Sequence, residues 1–367
     1  MSARLLFVDQ FNQLGGAQRC LLDLLPGFLE AGYQTHLAIP GDGLLADGAR
    51  KCGAVVHPIP CGAYTCGRKT WMDAARFGVD LPRQASRIAS LVSKHRIDLI
   101  YVNGPRLLPA ASLAACGRPV IFHAHSVVAQ PAAARLTRWA LRRTHASVIA
   151  ACRFVLESLA AAVEGARARV IYNGVEPVQC QRVRRAHRDT WRVGVIGRIA
   201  PEKGQLEFVQ AARMLSSQRR CEFVVCGDAL FSSAQYSRQV REEAKGLPIE
   251  FTGWRDDIGN VLSTLDLVVV PSTALEATTR VIPEAFSAGV PVLAFRSGGI
   301  PEIVEDGVTG ALTAPTVRDL AAQLSELLSD GGALLDRISA RARASFAERF
   351  SLQRYRSEVL EVVERAL

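Results

Sequence analysis

Short apolar runs recur along the chain, separated by longer stretches whose apolar residues fall three and four apart. In the first half the runs cover residues 4–9, 35–39, 98–102, 120–125 and 147–151, each rich in Val, Ile, Leu or Ala. Continuous apolar runs this short predict strands buried on both faces. Helical spacing covers 17–31, where Pro26 predicts a kink, then 81–95 and 135–144. The rhythm restarts at Arg192, with strands predicted over 192–196, 222–226, 249–252, 267–270 and 292–295 and helices over 205–215, 237–245 and 283–288. Alternation of this kind predicts parallel sheets covered by helices on both faces. The fold class expected is therefore α/β, with two doubly wound Rossmann-like domains in tandem. Residues 1–176 form the first domain, 177–190 a polar and basic linker, and 191–350 the second. Residues 351–367 read as a helix with Tyr355, Val359 and Val363 on one stripe, packing back on the first domain.

Composition narrows the class. A chain of 367 residues exceeds what one core organises, and 49% hydrophobic with 22% charged residues is globular. No apolar stretch reaches the length of a membrane span, and the first residues read as a strand rather than an export signal. A cytoplasmic location is expected. Nine cysteines without paired spacing read as reduced thiols, and Cys61 and Cys66 alone make a poor zinc site.

The net charge of +9 is uneven: residues 1–180 hold 20 Lys+Arg against 11 Asp+Glu, and the remainder hold 24 of each. Arg135, Arg138, Arg142 and Arg143 are the densest part of that surplus, beside Leu136 and Trp139. Such a face attracts anions, and peripheral contact with an anionic membrane surface is expected. No helix-turn-helix, zinc or RNP pattern is present, so nucleic acid is not expected as a partner.

In open parallel sheets ligands sit beyond the carboxyl ends of strands, and the chemistry-bearing residues fall there. Arg198 and Lys203 leave the first strand of the second half on a glycine-bearing loop, a cation pair suited to a diphosphate. Glu276 and Glu284 stand eight residues apart in PSTALEATTRVIPEAF. His123 and His125 end the strand PVIFHAH on one face. Gly15 and Gly16 open the first helix, where main-chain N–H groups can meet an anion. Gly298 and Gly299 follow a later strand and are expected to offer N–H groups to a diphosphate.

With VIYNGVEP at 170–177, VGVIGRIAPEKG at 193–204, FTGWRDDI at 251–258 and SGGIPEIVEDGVTG at 297–310, these pieces resemble, in order and spacing, the family 4 retaining glycosyltransferases of GT-B architecture. The resemblance runs nearly end to end. It implies two Rossmann-like domains facing across a cleft, the second holding a nucleotide-diphospho-sugar and the basic first holding the acceptor. It implies sugar transfer to an acceptor hydroxyl with retained configuration, in surface polysaccharide or glycolipid synthesis, from a UDP- or GDP-sugar without a metal or other cofactor. Partners are then the donor and a glycan or lipid-linked acceptor.

By the same resemblance Glu276 faces the donor sugar, Glu284 binds the ribose, Arg198 and Lys203 clamp the diphosphate, and His125 lies near the reacting sugar. One departure stands out. The family usually carries an aromatic-glycine pair three residues after the first glutamate; here Thr278, Thr279 and Arg280 occupy that loop. A threonine hydroxyl replacing the main-chain donor and capping the following helix is one expectation; a shifted donor is the other. An epimerase of the same fold and a non-catalytic nucleotide-sugar-binding protein are the competing readings.

Overall fold

The computed structural model describes residues 3–62, 71–163, 165–179, 190–216, 221–229, 234–273, 276–329 and 331–367. Cys66 and most of the expected linker lie outside the described residues. The chain divides into two compact units, Met1–Gly174 with Leu352–Leu367, and Val175–Ser351.

The first unit is a parallel sheet with its connecting helices. In chain order it runs β1 (Arg4–Val8), α1 (Gly16–Glu30), β2 (Gln34–Ile39), α2 (Leu44–Lys51), β3 (Val55–Pro58), α3 (Trp71–Lys94) and β4 (Leu99–Val102). It continues with α4 (Leu108–Ala114), β5 (Val120–Ala124), α5 (Pro131–Thr144), β6 (Ser147–Ala150), α6 (Arg153–Glu157) and β7 (Ala168–Val170). The seven strands lie in the order β3-β2-β1-β4-β5-β6-β7. Order reverses beside β1, so the crevice at the ends of β1 and β4 is a topological switch point.

One face of this sheet, Leu5, Phe7, Leu37, Ile39, Tyr101 and Ile121, packs on Leu21, Leu24, Leu25 and Phe28 of α1. Helix α1 continues through Pro26. The same core takes Tyr355, Val359 and Val363 from the last helix of the chain.

The second unit runs β8 (Trp191–Ile196), α7 (Gln205–Leu215), β9 (Cys221–Cys226), α8 (Ala234–Glu243), β10 (Ile249–Gly253), α9 (Ile258–Ser263) and β11 (Leu267–Val270). Then come α10 (Val281–Ala288), β12 (Val292–Phe295), α11 (Ile300–Ile303), β13 (Ala311–Thr313), α12 (Val317–Leu327) and α13 (Ala333–Arg349). Its parallel sheet has the order β10-β9-β8-β11-β12-β13. Val193, Val195, Phe223, Val225, Leu267, Val269, Leu293 and Phe295 meet α7 and α12 through Phe208, Val209, Leu320 and Leu324.

Pro283 sits in the first turn of α10, where its missing N–H leaves no intrahelical bond unmade. Residues 175–179 belong to the second unit: the Val175 N–H donates to Phe350 O at 3.0 Å and the Val178 N–H to Ser287 Oγ at 3.0 Å. The chain returns to the first unit with α14 (Leu352–Ala366).

Candidate active site

In the second unit three loops, after β8, β11 and β12, are hydrogen-bonded together at the carboxyl ends of adjacent strands. The Thr273 N–H donates to Glu202 O at 3.0 Å, and Ser297 Oγ donates to Ser272 O at 2.5 Å. Gly204 makes the first of these loops possible. Its φ is +71°, and a Cβ there would lie 1.9 Å from Pro271 O. Lys203 is thereby delivered beside Glu276, Nζ to Oε2 2.5 Å, with both side chains largely buried. Arg198 pairs with Glu202 four residues on.

Gly298 has φ +53°, and a Cβ there would meet Glu276 O at 1.9 Å. The Gly299 N–H donates to that same carbonyl at 3.0 Å. Gly299 thus fixes the Glu276 backbone, and its N–H is committed there rather than open to a diphosphate as the sequence leads one to expect. Glu284 lies in the first turn of α10, where the helix dipole favours its charge, and its Oε1 is 3.5 Å from Arg280 Nε. The residue at the N-cap of α10 is Arg280, whose own side chain makes no cap hydrogen bond. Neither Thr278 nor Thr279 has positive φ. The loop therefore takes threonine without the backbone strain that a glycine position imposes.

A second polar cluster occupies the switch point of the first unit. Asp9, Asn103 and His125 follow the last residues of β1, β4 and β5, which are neighbours in the sheet. Asn103 Nδ2 donates to Asp9 Oδ2 at 2.6 Å, Gln18 Nε2 donates to both Asp9 oxygens at 3.0 Å, and the Phe11 N–H donates to Oδ1 at 2.8 Å. Because the Asn103 amide nitrogen faces Asp9, its Oδ1 faces His125 Nε2 at 2.8 Å and accepts from it. His125 Nδ1 is then the lone-pair nitrogen, and this buried atom has no hydrogen-bond partner.

Burial pushes Asp9 up to about 6 against the pull of its donors, and pushes His125 down to about 4. His125 is thus a neutral acceptor at pH 7. His123, by contrast, is fully buried, its Nδ1 2.7 Å from Tyr101 Oη, and it is part of the core.

Gly15 is the N-cap of α1, and Gly16, its first residue, is exposed. A Cβ on Gly15 would sit 2.9 Å from Gln18 Oε1, so the glycine makes room for the side chain that reaches Asp9. Asp9 and Asn103 carry no sequence signal of their own: they are 94 residues apart, and each reads as an ordinary strand end. On α5, Arg135, Arg142, Arg143 and Trp139 are exposed, and the Arg143 guanidinium lies 5.8 Å from the Trp139 ring centre. Among the described residues no helix is long and apolar enough to cross a membrane.

The sequence profile of Glycosyltransferase Family 4 matches residues 14–179, and that of Glycosyl transferases group 1 matches residues 190–330. Over 273 residues the chain is 30% identical to the 2-deoxystreptamine glucosyltransferase of Streptomyces kanamyceticus, covering 69% of each chain. The chain belongs to glycosyltransferase family 4. A shorter stretch of this family 4 member, 123 residues, is 41% identical to the lipopolysaccharide 1,2-N-acetylglucosaminetransferase of Salmonella typhimurium. That stretch spans 31% of this chain and about a third, 32%, of the Salmonella one. The structure of Anabaena HepE in complex with UDP and glucose superposes with a TM-score of 0.82 at 26% identity, covering 98% of this chain and 99% of that one. The two sheets and their helices are those of the GT-B fold.

Proposed function

We propose that this family 4 member is a retaining glycosyltransferase that moves a sugar from a UDP-sugar to a hydroxyl of a glycan or lipid-linked acceptor. The observation that carries this reading is the Lys203–Glu276 pair, clamped by Gly204 and Gly298 at the ends of three adjacent strands. An ammonium held by a carboxylate is a cation already in place, and a diphosphate can exchange for that carboxylate. In this reading Lys203 and Arg198 turn to the diphosphate and stabilise the charge that grows on it as the glycosidic bond breaks. Glu276, released, faces the sugar, and Glu284 accepts hydrogen bonds from the ribose hydroxyls.

His125 Nδ1, neutral and unpartnered, accepts from a sugar hydroxyl at the switch point of the first unit. Among the described residues of these loops no side chain is arranged as a nucleophile with its base, which fits a step in which the leaving phosphate takes the acceptor proton. The choice of UDP is supported by the HepE structures, one of them in complex with UDP-glucose. A surface-glycan or lipid-linked acceptor is supported by the Salmonella relative's name, and peripheral contact with an anionic membrane by the exposed arginines and Trp139 of α5.

The test is Glu276→Gln, with turnover and UDP binding measured side by side. Transfer is expected to fall by about 100-fold or more, while UDP binding by calorimetry stays within a few-fold. Unchanged turnover removes Glu276 from the mechanism, and conversion of the UDP-sugar with no acceptor present favours an epimerase.

A further inference from the structure

Three of the seven histidines in the chain, His36, His57 and His95, converge in the first unit. They come from β2, from β3 and from the residue that follows α3. Alternation along β2 puts His36 on the same face as Ala38, and Ala38 is the ladder partner of His57, so both rings leave the sheet on one side. Helix α3 is tied to that edge, Arg87 Nε donating to Pro58 O at 3.1 Å, and it delivers His95. One ring nitrogen from each histidine lies within 4.8 Å of the other two. His36 Nδ1 and His57 Nε2 are 2.9 Å apart, and all three ring centres are 4.7–5.2 Å from one another. His36 and His57 are buried and His95 is half-buried.

The cluster is separate from the transfer chemistry. It lies at the β2–β3 edge and extends toward the strand starts, where the His95 carbonyl accepts from Arg4 at the first residue of β1. Asp9, Asn103 and His125 follow the opposite ends of their strands.

We propose that His36, His57 and His95 bind one zinc(II) ion through three imidazole nitrogens, with water in the fourth position, fastening the end of α3 to the β2–β3 edge. Zinc–imidazole bonds of about 2.0–2.1 Å place nitrogens of one tetrahedral site about 3.4 Å apart. The separations here, 2.9 Å between His36 Nδ1 and His57 Nε2 and no more than 4.8 Å across the set, bracket that value. A donor set of three imidazoles, with no carboxylate or thiolate, favours zinc and its late-transition neighbours over calcium or magnesium. The charges that face the rings are Arg4 of β1 and Arg87 and Lys94 of α3. These cations oppose any bound ion, and only a metal with strong imidazole affinity offsets them.

Chelator-treated full-length protein, dialysed against zinc(II), tests this by metal content, thermal midpoint and X-ray absorption at the zinc edge. The expected result is one zinc per chain, a raised midpoint and a shell of three imidazoles, with His57→Gln and His95→Gln each losing the ion. Transfer from the UDP-sugar is expected to be the same in both variants as in the parent. Absence of bound zinc, zinc retained by both variants, or sulfur in the shell overturns the proposal. Should a variant fail to fold, the absorption spectrum of the parent decides: three imidazoles support the site and fewer overturn it.

Discussion

At the scale of single residues, the position of Glu276 depends on an atom that is absent. Gly298 stands at positive φ with no room for a Cβ beside Glu276 O, so Gly298→Ala must displace the Glu276 main chain. Shifts of about 1 Å in a reacting group cost about 100-fold in rate, and a loss of that order in kcat/KM is expected from steady-state kinetics. An added backbone strain of about 1–3 kcal/mol is expected in the urea midpoint of the same variant. The sequence displays Glu276 and Glu284 plainly because they are eight residues apart in one segment. The Lys203–Glu276 pair spans 73 residues and was not legible in the sequence, where resemblance assigned Lys203 to the diphosphate and Glu276 to the sugar. Asn103, 94 residues from Asp9, escaped for the same reason, since a topological switch point gathers residues that no local window contains. Removing Asn103 by Asn103→Ala leaves Asp9 and His125 each short of a partner, with a destabilisation of about 1–3 kcal/mol expected in chemical unfolding.

At the scale of elements, strands that are continuous apolar runs were legible to within a residue or so, as with β11 and β12. Those that are not were hidden. Strand β3 reads VVHP with two exposed positions, and β7 and β13 are three residues each. Helix α13 was hidden because its buried face includes Ser339, Ala342 and Ser345, small residues that draw no apolar stripe. Helix α14 was legible, and its packing shows why it matters. Tyr355, Val359 and Val363 are fully buried in the core built on β1, β2 and α1. Arg356 Nε donates to Asp23 O at 2.6 Å, and Arg169 pairs with Glu361 at 2.9 Å. Tyr355→Ala opens a large cavity in that core, and a loss of about 3–5 kcal/mol is expected by urea denaturation.

At the scale of the whole molecule, buried histidines set the response to acid. His123 and His125 are held neutral in the folded chain, well below and at about 4 respectively, against 6.5 when unfolded. Their contribution is complete above pH 6.5 and is lost as pH falls toward 4, because the unfolded chain takes up protons that the folded one refuses. Asp9, raised from 3.8 to about 6, acts in the opposite sense, since it loses stability as pH rises through 6. With His57, also held at about 4, and His36, also lowered, the histidines outweigh one aspartate, so the thermal midpoint is expected to drop between pH 6.5 and 4.5. His125→Gln should flatten that slope, and Asp9→Asn should steepen it; a midpoint independent of pH in this window contradicts the assignment. The chain crosses between its units twice, at 174/175 and again at 351/352. During synthesis, then, the unit begun before the other is completed after it: its core stays open on the α1 side until α14 has been made. Loss of Leu352–Ala366 would damage the first unit while sparing the second.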